Sequence, residues 1–156
     1  MKKVIFIALI LNLLVLKSYA LDTALFDMHN RILQESKGIR ASLANTKDVV
    51  LVNSMWDSCL LTINQLEAYF SMVGIFNNIK QENLNDKAVS YLINWLNGIK
   101  QTNELNIKGL DAIIEPIEPA TKTNMEKLKA YFNDLNSRID TEVKKIAPLK
   151  KALEKK

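Results

Sequence analysis

The sequence offers few side chains that do chemistry: His29 is its sole histidine and Cys59 its sole cysteine. Exported four-helix bundles can hold haem between a histidine and a methionine, and Met28 stands beside His29. Adjacent residues on a helix point about 100° apart, so these two cannot ligate one iron together. No Cys-x-x-Cys-His attachment site is present either. A di-iron centre needs Glu-x-x-His pairs on two helices, and the sequence has none. Cys59 as a nucleophile would need a nearby base, and His29 is the one candidate, with no third group in view to orient it. Glu35 and Glu142 fall on or beside apolar stripes and are the candidates for a paired-carboxylate acid/base site. The ordinary reading of a glutamate at a stripe edge is that it reaches water along its own methylenes. The glycines stand isolated at positions 38, 74, 98 and 109, so there is no phosphate-cradling loop. These residues predict a protein without metal or cofactor that is not an enzyme.

The elements that carry these residues read as helices. Leu25, Met28, Ile32, Ile39 and Leu43 form one stripe, interrupted at Glu35 or Ser36. Val52, Met55, Cys59, Ile63, Leu66, Phe70 and Val73 form a second with no gap. Val89, Leu92, Leu96 and Ile99 begin a third, which passes a polar stretch at Thr102-Asn103 and resumes at Ile107, Leu110 and Ile114. Met125, Leu128, Phe132, Leu135, Ile139, Glu142 and Ile146 form the fourth. Spacings of three and four are those of a helix, and no comparable stretch alternates with period two.

Asn45-Thr46 separates the first two stripes, and the polar segment 77–86 separates the next two. The run Glu115-Pro116-Ile117-Glu118-Pro119 stops a helix, because each proline disfavours helix at the residue before it. Thr123 and Glu126 read as a capping box opening the last helix. Pro148 ends or kinks that helix and leaves a basic tail over 148–156. Short links force antiparallel neighbours, so the fold class predicted is all-α, an up-down-up-down antiparallel four-helix bundle over 21–147. If the turn dipeptide Asn97-Gly98 breaks the third helix, the count becomes five.

Residues 1–20 read as a cleavable signal peptide. Met1-Lys2-Lys3 is positive, Val4 to Leu16 is apolar except for Asn12, and Ser18-Tyr19-Ala20 places small residues three and one before a cut at Leu21. The chain is therefore expected to be secreted or periplasmic, with no transmembrane segment in its mature part. Loss of the segment takes Lys2, Lys3 and Lys17 and lowers the formal charge from +4 to +1. The basic balance of the precursor is then no argument for nucleic acid. A single cysteine permits no internal disulfide, so stability must come from packing.

Two surfaces follow from antiparallel pairing. Phe26, Met28, Tyr69, Phe70, Met72, Phe76, Tyr91 and Trp95 gather at one pole and are the candidate lining of a pocket for a small apolar ligand. The ordinary alternative is that aromatic residues at helical spacing are core. Lys144, Lys145, Lys150, Lys151, Lys155 and Lys156 make a basic end that complements the helix dipole or docks to an anionic surface. The function expected is that of a secreted, non-enzymatic binding protein, acting on a protein partner or an envelope or host surface. The alternative is a carrier or sensor of a small apolar ligand at the aromatic pole.

Overall fold

The computed structural model describes residues 23–79, 85–114 and 116–154, and these form an all-α helical bundle. The expected signal peptide, the cut at Leu21, Lys155 and Lys156 lie outside the described residues. The helices are α1 (Thr23–Ser42), α2 (Val49–Asn78), α3 (Asp86–Asp111) and α4 (Pro119–Leu153), with one 3-10 turn at Leu43–Asn45. Lys100 pairs with Asp140 and Lys129 with Asp111, so α3 and α4 descend past each other in opposite directions. Thr62 to Asn103 and Gln65 to Thr102 set the same relation for α2 with α3, and His29 to Glu67 joins α1 to α2. Each helix thus packs beside two neighbours, with α2 and α4 across the diagonal.

Helix α3 runs unbroken through Asn97-Gly98, since the stripe from Val89 to Leu110 buries its apolar residues on one side. Its start is capped by Asn85, whose side-chain oxygen accepts from the Ala88 amide at 3.0 Å. The capping box expected at Thr123 is not used. Helix α4 begins five residues earlier, with Glu118 at its N-cap and Pro119 in its first turn, where a missing N–H costs nothing. Thr123 instead bonds back to the Pro119 carbonyl at 2.9 Å.

Nor does α4 end at Pro148. That ring faces solvent, while Leu149 and Leu153 continue the buried stripe, so the helix holds through to Leu153 and no separate tail begins at 148. Helix α2 meets the length and composition of a membrane span, contrary to the expectation that no later segment would. In the bundle its stripe from Val52 to Phe76 is buried against the other helices.

The core has a polar layer. Thr62 donates to Asn103 at 3.1 Å, and the Asn103 amide donates to Asn136 at 3.0 Å, all three buried. The interruption at Thr102-Asn103 is therefore a core position of α3, satisfied from both neighbouring helices.

Candidate functional site

The residues that suggested chemistry are held apart. His29 is nearly buried, its Nε2–H donating to Glu67 at 3.1 Å, with its ring against Phe26 and Phe70. Cys59 is fully buried, and burial, reinforced by the charge of Glu35, pushes its thiol up to about 12. A thiol so protonated is a small core hydrophobe and a poor nucleophile. Glu35 pairs with Lys127, whereas Glu142 accepts from Tyr69 at 3.2 Å and faces Lys145 at 3.5 Å. Lys127 and Glu142 lie fifteen residues apart on α4, so the two carboxylates stand about 22 Å apart along the axis and do not share a site. Among the described residues no cluster of His, Cys, Asp and Glu suits a metal ion.

The aromatic pole divides. Phe26, His29, Phe70 and Tyr69 make one chain of ring contacts, and Tyr91 with Trp95 makes another. Met28, Tyr69 and Phe76 are core, Phe70, Met72 and Trp95 are half-buried, and Phe26 and Tyr91 face solvent. Trp95 is fixed by donating Nε1–H to the Gln65 carbonyl at 2.9 Å. The eight residues are thus spread from core to surface. Of the lysines expected to form a basic end, Lys144, Lys145 and Lys151 are exposed and Lys150 is half-buried.

A concavity lies at the opposite pole, where α2 begins and α3 ends. There the links are clipped together. Asp48 accepts from the Glu118 amide at 2.8 Å, while Glu118 accepts from the Thr46 hydroxyl at 2.8 Å and the Lys47 amide at 3.2 Å. Beside this clip, α2 and α3 enclose an open groove of about 820 Å³ lined by Val50, Leu51, Ser54, Leu105, Leu110 and Ile113, among others. No family model, curated protein or solved structure matches the chain. The surface must therefore be read from its own chemistry.

That chemistry is apolar and segregated. Val50 is 86% exposed, Ile114 96%, Leu105 68%, Ile75 65%, Tyr91 58% and Leu61 46%. All lie on α2, α3 or the segment after α3, and α4 has no exposed large hydrophobic residue among those described. Phe26 on α1, 49% exposed, stands apart from them. Scattered apolar residues are ordinary on a surface; six gathered on one face are not. Ile114, expected to end the third stripe, lies beyond the last turn of α3 and points away from the core. The sequence signal for this face is the charge pattern of α2: between Val49 and Asn78 the only charges are Asp57 and Glu67. A solvated helix face ordinarily mixes charges of both signs.

Proposed function

We propose that the chain is an exported, non-enzymatic helical bundle that works by binding a protein, and that the α2–α3 face is its contact surface. The observation that carries this reading is the concentration of exposed apolar side chains on that face, around a concave groove. Interfaces are built in this way, from a core depleted of charge with a polar rim. Export is supported by the charged, apolar and small-residue order of residues 1–20. His29 is bonded to Glu67, and Cys59 is buried with its thiol held protonated, so these two are not set up as base and nucleophile.

The test places a photo-crosslinking side chain at Val50, at Leu105, or at the exposed Ala130 of α4 in the chain made by an exporting cell. Protein adducts at the first two positions and not at the third are expected. Equal labelling at all three, or none, removes the α2–α3 face from consideration. An N-terminus at Leu21 in the recovered chain checks the signal peptide.

A second reading has one observation of its own. The Asn106 amide nitrogen, in the groove wall, is shut off from solvent with no acceptor. Turned about its side-chain torsions into the groove, it would be satisfied by the carbonyl or carboxylate oxygen of a small apolar molecule, which makes the groove the site for the carrier reading. Titration with a medium-chain fatty acid, weakened about tenfold in Asn106→Leu, is the expected result on this reading. Equal affinity in both chains defeats it.

A further inference from the structure

The outer faces of α2 and α3 match each other in kind, height by height. The hydrogen bonds from Thr62 to Asn103 and from Gln65 to Thr102 fix which residues of the two helices stand level. Counted from them, Ile75 is level with Tyr91 and Leu61 with Leu105, while Val50 and Ile114, the latter beyond the end of α3, line the same groove; all six are exposed. Beyond the second of these levels Asp57 stands level with Lys108, both exposed. Among the described residues neither has an ion-pair partner within the chain.

We propose that the α2–α3 face is occupied by a second copy of this chain, related by a two-fold axis running parallel to the bundle. Resting on the contact-surface reading above, this names the partner. Rotation about such an axis lays α2 of each copy over α3 of the other at the same height. Apolar then meets apolar at both levels and around the groove, and Asp57 of each copy meets Lys108 of the other, so the face is self-complementary as a two-fold interface requires. A two-fold axis perpendicular to the helices would instead lay α2 over α2, which carries no basic residue to meet Asp57. The acid therefore selects the axis. Two helices side by side present a face about 20 Å wide and about 40 Å long, close to the roughly 800 Å² that each partner gives to a standard interface. The near absence of charge on α2 fits the same burial, since only Asp57 and Glu67 would need partners.

Sedimentation equilibrium of the chain recovered from the exporting cell tests this. A dimer at micromolar concentration is expected. Ile75→Asp and Leu61→Asp should give monomers with unchanged helicity, because these side chains lie outside the core. Asp57→Lys and Lys108→Asp should each weaken the dimer about tenfold, and the double exchange should restore it. A wild-type chain that stays monomeric to 100 μM, roughly a hundredfold above the expected range, overturns the second copy. If a different protein is then crosslinked from Val50, the contact-surface reading stands without this partner; no site-dependent adduct ends both. A dimer that the double exchange fails to rescue overturns the axis. Sedimentation of the wild type with phosphatidylcholine vesicles, lost in Ile75→Asp, overturns the second copy in favour of lipid.

Discussion

Tyr69 on α2 donates its phenol hydrogen to Glu142 on α4 across the diagonal of the bundle, at 3.2 Å. It places a carboxylate where only 1% of the residue is exposed. Burial raises the Glu142 pKa above the usual range, and the charge of Lys145 offsets part of that rise. A carboxyl whose pKa is raised by folding binds its proton more tightly in the folded chain. Its contribution to stability is therefore greatest below the unfolded pKa of about 4.3 and falls as pH rises through the folded value.

Glu142→Gln keeps an acceptor for Tyr69 and removes the titration. The variant should gain stability relative to wild type as pH rises from 4 to 7, read as the difference in urea midpoint. A difference that is flat across this range would show that the buried carboxyl carries no net cost. Tyr69→Phe takes away the donor and should lower stability by about 1–3 kcal/mol at pH 7, as expected for a buried acceptor left with one bond fewer.

The chain of hydrogen bonds from Thr62 through Asn103 to Asn136 makes a second prediction. Asn103→Leu strands the Thr62 hydroxyl and the Asn136 side chain at once, and should cost about 2–4 kcal/mol in urea unfolding. Replacing all three by apolar residues of similar size should recover most of that loss, because no buried polar group is then left without a partner. If the triple variant is no more stable than Asn103→Leu alone, packing rather than hydrogen bonding sets the cost.

These two polar contacts mark where sequence reading worked and where it stopped. The stripes on α1 and α4 were legible nearly residue by residue, because spacing of three and four is set by helix geometry alone. On α2 the same rule chose Phe70, whereas Tyr69 is the buried ring, since its hydroxyl has a partner on a helix far along the chain. Asn103 read as a gap for the same reason: its partners sit on α2 and α4. The end of α4 was misread at Pro148 because a local rule about the missing N–H was outweighed by burial of Leu149 and Leu153. The α2–α3 face escaped notice because periodicity finds what is buried. An exposed apolar residue such as Ile114 or Val50 looks the same in sequence as one that packs.

Cys59 makes a third prediction. Its side chain is fully buried on α2, and its thiol is pushed up to about 12. Alkylation by iodoacetamide at pH 8 should be slower in the folded chain than in denaturant by at least about a hundredfold, since the thiolate is both scarce and covered. Chains recovered under oxidising conditions should run as monomers on a non-reducing gel. A disulfide-linked pair would require α2 to open, and would contradict this placement.

The basic end of α4 makes the last prediction, and the structure dictates how it is tested. Removing residues 148–156 would delete Leu149 and Leu153, which belong to the core, and so would confuse loss of docking with loss of folding. Changing Lys144, Lys145, Lys150 and Lys151 to Gln leaves those leucines in place. If the lysines only complement the C-terminal end of the α4 dipole, the fourfold variant should lose about 1 kcal/mol at low salt and less at 1 M salt, where the field is screened. If they dock to an anionic surface, partitioning onto phosphatidylserine vesicles should fall by about a hundredfold or more, near 1 kcal/mol for each lysine at the surface. Lys150 is half-buried and lies 3.8 Å from Glu154, so its share should be the smallest of the four. Vesicle partitioning that is equal in the two chains would leave the dipole as the whole account of this lysine cluster.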